Sequence, residues 1–388
     1  MTMDPALVRD LVPGVLSVLV RRGWDFAAAE DAVQEALIEA LQRWPADGPE
    51  DPRGWLITVA GRKLIDQHRS EVARRRREEA ELLEPERGPT EQGDDALVLL
   101  FLCCHPSLSP ASAVALTLRA VGGLTTKQIA DAFLVPEATM AQRIGRAKKT
   151  LTGVGLSQPG EVAVVLRVLY LIFNEGYAGS LDLAAEAIRL VRGLAREVDD
   201  PEVAGLLALM LLHHARRRAR FTDKGGLIPL DEQDRGRWDT GEIAEGVAVL
   251  QAALAVGRIG EYQMQAAIAA LHDDAASATE TDWAQILAWY DDLLTLTANP
   301  AVALNRAVAV GQVDGPLAGL RSLDQWRASL AGHHRLDAVL GHLYERAGNH
   351  LVAADHYASA AGRAASTAER DHLTRQAARL RSTASSDE

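Results

Sequence analysis

The chain has 388 residues, 48% of them apolar and 24% charged, with a formal net charge of −12. That length predicts two or three domains with ample material for buried cores. Two adjacent cysteines, Cys103 and Cys104, cannot build a disulfide framework, and the longest apolar run, VAGLLALMLL (203–212), is far too short for the ~20 residues that span a bilayer.

Aromatic residues are only 5%, Ala and Leu are abundant, and alternating Val/Ile/Thr runs are nearly absent, so the expected fold class is all-α. The start MTMDPALVRD lacks the basic and apolar regions of a signal peptide, and the expectation is a soluble, cytoplasmic protein. Acidity is uneven. Residues 1–155 hold 19 Lys/Arg against 22 Asp/Glu, whereas residues 156–388 hold 22 against 31. Within the front part the cations are clustered, which matters more to a polyanionic partner than the total does.

In chain order, DAVQEALIEALQRW (31–44) repeats Val33, Leu37, Ala40, Leu41 and Trp44 at helical spacing. Asp51-Pro52 then suits a helix start, because an aspartate caps backbone amides and proline fits the first helical position. The helix begun there runs through WLITVAGRKLIDQHRS into the cationic ARRRREEAE. The polar stretch EPERGPTEQGDD (84–95) reads as a linker.

LTTKQIADAFLVPEATMAQRIGRAKKTL (124–151) has the layout of a helix-turn-helix. Thr125 or Thr126 caps the first helix, Ala130 is small where two helices must cross, and Pro136 restarts the chain. Met140, Ile144 and Ala147 then point inward. Outward stand Thr139, Gln142, Arg143, Arg146 and Lys149, with Lys148 beside them. Arg and Gln reach base edges bidentately, while Lys and Thr mostly hold phosphates, so this face suits the major groove of DNA.

Two segments together carry a family resemblance. AAAEDAVQEALIEALQRW followed by DPRGWLITVAGRKLIDQHRSEVARRRRE resembles region 2 of bacterial RNA polymerase sigma factors of the extracytoplasmic-function group, and the 94–155 segment resembles their region 4. The resemblance implies residues 1–83 as region 2, 84–93 as linker, 94–155 as region 4 and 156–388 as an extension. It implies core RNA polymerase (the clamp of the largest subunit and the flap) and promoter DNA as partners, with Asp31, Gln34, Glu35 and Gln42 docking on the clamp. It also implies recognition of the −10 element by Trp55, Arg62, Lys63, His68, Arg69, Arg74 and Arg75, and of the −35 element by the outward face just described. Trp55 has a competing reading as a core residue, and the run Arg74–Arg77 as a solvated charge run. One departure is Leu134, at a turn where the family usually holds Gly. The other is length.

The extension, 156–388, resembles the tetratricopeptide-like C-terminal domain of one subgroup. LGHLYERAGNHLVAADHYASAA matches a tetratricopeptide helix pair at Leu340, Gly341, Tyr344, Ala353, Tyr357 and Ala360, and residues 299–323 look like a degenerate copy. VLYLIFNEGYAGS (168–180) and LDEQDRGRWD (230–239) look like subgroup signatures. Arg235, Arg237 and Trp238 suit a buried ion network or a contact with the sigma modules. Two roles are open to this domain, an inhibitor in cis or a required scaffold that receives a regulatory protein, and deleting residues 160–388 separates them. No cofactor, metal or membrane partner is expected, because His213-His214, His272-Asp273-Asp274 and His333-His334 lack a ligand spacing and no phosphate loop or nucleophile elbow is present. The competing function from another class is an operator-binding helix-turn-helix regulator with a helical sensor domain, and a third is a repeat-protein adaptor.

Overall fold

The computed structural model describes residues 5–44, 49–75, 95–133, 135–152, 160–176, 182–223, 225–364 and 366–386. They form eighteen α-helices and five short 3-10 turns, in two compact units, residues 1–198 and 199–388. The all-α expectation holds. The linker 84–93, the arginines at 76 and 77, Leu134 and Tyr177 lie outside the described residues. None of the described helices is long and apolar enough to cross a membrane.

The first unit holds α1 (Pro5–Arg21), α2 (Phe26–Arg43), α3 (Pro52–Arg75), α4 (Asp95–Cys103), α5 (Pro110–Ala120), α6 (Thr126–Ala132), α7 (Glu137–Leu151), α8 (Val162–Glu175) and α9 (Leu183–Glu197). Local chemistry sets the starts. Asp25 accepts from the amides of Ala27 and Ala28 at the head of α2, and Asp51 accepts from Gly54 at the head of α3, as expected for an Asp-Pro start. Along α2, Val33, Leu37 and Ala40 are buried against α1 and α3. Leu41, expected in that stripe, is 46% exposed and Ile38 is 58% exposed. The helical period puts Ile38 and Gln42 on the side opposite Val33 and Ala40, and Leu41, about 100° round from Ala40, lies exposed beside them. The helices α8 and α9 pack on α4 and α5, so the first two helices of the extension share this unit.

The second unit runs α10 (Pro201–Ala215), α11 (Thr240–Ala255), α12 (Glu261–Asp274), α13 (Trp283–Thr297), α14 (Pro300–Val313), α15 (Pro316–Ser322), α16 (His334–Arg346), α17 (His350–Arg363) and α18 (Thr367–Ser386). The expected helix pair is α16 on α17. A Cβ placed on Gly341 would lie 2.9 Å from the Tyr357 ring, whose hydroxyl donates to Glu345 at 3.0 Å. Gly341→Ala must therefore push the ring aside, and we expect a loss of about 1–2 kcal/mol, read as a lower denaturant midpoint at unchanged slope. The weaker copy pairs α14 with α15, where a Cβ on Gly319 would meet the Ala307 carbonyl at 2.7 Å.

The signature LDEQDRGRWD does build a buried cluster. Arg235 donates to the His272 carbonyl at 2.7 Å and lies 4.6 Å over the Trp238 ring; Arg216 lies 5.9 Å over the same ring and pairs with Asp273 at 3.3 Å. Arg237 stays exposed. Burial pushes the Asp273 carboxyl up from its ordinary 3.8 to about 7, against the opposing pull of Arg216 and Arg235. A carboxyl raised by folding favours the folded state below its unfolded pKa and loses that contribution as pH rises through the folded one. Relative to Asp273→Asn, wild-type stability should therefore fall between about pH 4 and about pH 7 and level off above, in denaturant titrations at stepped pH. His272, lowered by burial to about 4, acts in the opposite sense, but it is present in both proteins and cancels in the comparison.

Candidate nucleic-acid and polymerase interfaces

The reading motif is assembled by two caps and one small residue. Thr125 caps α6 in a reciprocal box: its hydroxyl accepts from the Gln128 amide at 3.1 Å, and the Gln128 side chain accepts from the Thr125 amide at 2.9 Å. Ile129 and Ala130 are buried beneath α7, as are the inward residues Met140, Ile144 and Ala147. That packing fixes the opposite face. Thr139, Gln142, Arg146 and Lys149 are exposed and Arg143 is half-buried. These five share one side of a fifteen-residue helix, long enough to lie in a major groove.

Lys148 is separate from them. Its side chain is 15% exposed, and its ammonium donates to Glu30 and, at 2.9 Å, to Asp31 of α2. Burial pulls the ammonium's pKa down, but the two carboxylates outweigh that and hold it above its ordinary value. The position one residue along the helix from Ala147 turns it toward α2, on the side of α7 away from the other five.

On α3, Arg62 and Arg69 are exposed and seven residues apart, which places them on one side. His68, also exposed, meets Trp24 edge-on at 6.1 Å. Trp55 is half-buried and packs edge-to-face on Trp44 at 5.5 Å, a position between core and surface. Lys63 turns the other way, 3.4 Å from both Glu35 and Glu39 of α2. The structure thus sets Lys63 apart from the outward cations, since its charge is already matched. Arg74 and Arg75 belong to the last turn of α3.

The outer face of α2 runs Asp31, Gln34, Glu35, Ile38, Leu41, Gln42, a polar strip with an apolar centre. Sequence periodicity identified its acids and amides but not Ile38 and Leu41. The available signal was their spacing, at i+3 and i+6 from Glu35.

Family models match this geometry in three places: sigma-70 region 2 over residues 7–75, sigma-70 region 4 over residues 99–151, and a family of unknown function (DUF6596) over residues 161–254. An uncharacterized protein of Rhizobium meliloti (strain 1021) is 41% identical over 377 residues, 89% of this chain and 88% of that one. The ECF RNA polymerase sigma factor SigK of Mycobacterium sp. (strain KMS) is 30% identical over 149 residues, 35% of this chain and 72% of that one. The probable ECF RNA polymerase sigma factor SigI of Mycobacterium tuberculosis (strain CDC 1551 / Oshkosh) is 30% identical over 187 residues, 45% of this chain and 62% of that one. No solved structure matches.

Regions 2 and 4 in this order, on an all-helical scaffold, define a DNA-binding protein of transcription initiation. The chain belongs to the extracytoplasmic-function group of RNA polymerase sigma factors and carries a C-terminal helical extension.

Proposed function

We propose that this sigma factor binds core RNA polymerase through the outer face of α2, selects promoters through two separate cationic surfaces, and performs no catalysis of its own. Residues 1–83 form the module for core polymerase and the −10 element, residues 94–155 the module for the −35 element, with 84–93 between them. Asp31, Gln34, Glu35 and Gln42 frame the clamp contact around Ile38 and Leu41. Exposed apolar pairs rimmed by polar groups are the usual anchor of a protein interface. Arg62, His68, Arg69, Arg74 and Arg75 hold the −10 strand, with Trp55 at the edge of that surface. Thr139, Gln142, Arg143, Arg146 and Lys149 read the −35 duplex. The extension, from 156 onward, receives a regulatory protein or supports the modules in the cytoplasm.

The observation that carries the reading is the outward face of α7, fixed by buried Met140, Ile144 and Ala147 on its other side. The test is run-off transcription from a promoter library with sigma-free core polymerase. Start-site selection that appears only when this chain is added supports the reading. Tight duplex binding by the chain alone, with no transcription, sinks it in favour of an ordinary operator-binding regulator.

A further inference from the structure

Glu30 lies in α2 with its side chain only 2% exposed. A carboxylate that deep is tolerated when its charge is compensated at close range. Its compensation comes from helices of the other sigma module. Arg119 of α5 donates its Nε to Oε1 at 3.0 Å, and Lys148 of α7 donates to Oε2. Arg119 also donates through Nη1 to the Leu124 carbonyl at 3.0 Å, immediately before the Thr125 cap. One buried carboxylate thus fastens α2 to α5, to the loop that opens the helix-turn-helix, and to the last turns of α7.

We propose that the Glu30–Arg119–Lys148 cluster is a latch that keeps the two promoter-reading modules closed on each other, and that it must open before the chain can serve polymerase. The inference rests on the sigma-factor reading for its consequence. A compact unit of 198 residues has a radius of gyration of about 16 Å, so it is roughly 40 Å across. Elements centred near −35 and −10 lie roughly 25 base pairs apart, about 85 Å along the duplex at 3.4 Å per pair. Bending that segment smoothly by 90°, at a cost of roughly 1–6 kcal/mol, still leaves the ends about 75 Å apart. The closed unit cannot reach both elements, so α7 must leave α2.

Opening also returns one residue, Asp31, to the docking surface. Asp31, at the head of the docking strip, is held by Lys148 in the closed form. Docking on α2 and closure of the latch therefore draw on the same carboxylate.

The test measures the distance between probes in the full chain, on cysteines introduced by Asp66→Cys in α3 and Thr150→Cys in α7, both exposed positions. The native Cys103 and Cys104 are buried and burial raises both thiols, so they stay unlabelled. The free chain at low salt is expected to show one short distance, below roughly 40 Å. Glu30→Gln, and independently Lys148→Met, should raise the long-distance fraction about tenfold; Lys148→Met, which puts an apolar side chain at a mostly covered site, guards against a folding defect in the first. Wild type in an open complex with core polymerase and promoter should show only the long distance. The latch is overturned if both variants keep the wild-type distribution, or if the short distance persists in the open complex. Absence of start-site selection would remove the sigma reading alone, because the free-chain comparison of variants still reports on the latch.

Discussion

Replacing Ile38 and Leu41 together by Asp is expected to lower retention of the chain on core RNA polymerase by about 100-fold while leaving its helical content and thermal midpoint nearly unchanged. Both halves of that expectation follow from the position of the two side chains. They are largely exposed, so the fold gains little from them, and surface substitutions of this kind usually move stability by no more than about 0.5 kcal/mol. In a complex they would be the apolar centre of a strip whose rim is Asp31, Gln34, Glu35 and Gln42. Central apolar anchors commonly contribute about 2–4 kcal/mol each when truncated, and an introduced carboxylate adds a desolvation cost. Changing Gln34 and Glu35 alone, at the rim, should weaken retention less and mostly through the association rate. A pull-down titration with purified core polymerase decides it: full retention of the double aspartate variant would remove α2 from the docking surface.

Arg143→Ala combined with Arg146→Ala should weaken −35 engagement by on the order of 100-fold, measured as promoter occupancy by the reconstituted holoenzyme. The two arginines are expected to contribute differently. Arg143 sits on the flank of the face next to buried Met140 and Ala147 and is half-buried, which limits its rotamers and suits a bidentate base contact of about 1–3 kcal/mol. Its loss should relax preference at one base position. Arg146 is exposed one turn on, and its loss should weaken all sequences alike while flattening the log–log salt dependence by about 0.9. An unchanged promoter profile for Arg143→Ala would take it off the reading face. Met140, Ile144 and Ala147 are buried directly behind these positions, so neither arginine substitution should disturb the motif itself.

Features governed by near neighbours were legible in the sequence. The Asp51 start, the Thr125 cap and the inward triplet of α7 each depend on contacts within a few residues, and capping chemistry and helical period predict them directly. Leu41 shows where period alone falls short. It follows Ala40 in the apolar series, and adjacent residues project about 100° apart, so only the packing of α1 and α3 decides which of them is covered. The charged residues were harder still. Lys148 was one cation of RIGRAKK until the fold placed Glu30, 118 residues earlier in the chain, against it, and Lys63 was one of a cluster until Glu35 and Glu39 claimed it. An ion pair across such a separation leaves no spacing to read. The buried cluster around Trp238 was half legible: the density of Arg, Asp and Trp in LDEQDRGRWD announced it, but its partners Arg216 and Asp273 come from other helices.

The placement of α8 and α9 decides where this protein can be cut. Their apolar residues, Val165, Leu169, Ile172 and Phe173 on one helix and Ile188, Val191 and Leu194 on the other, are sealed inside the first unit together with Leu99 and Leu118. A truncation ending near residue 160 would strip that cover and present bare hydrocarbon to water, so silence from such a fragment would report aggregation rather than a missing activator. Ending the fragment after Val198 keeps the layer intact, and only a fragment of that length can say whether the remaining helices restrain transcription or sustain it.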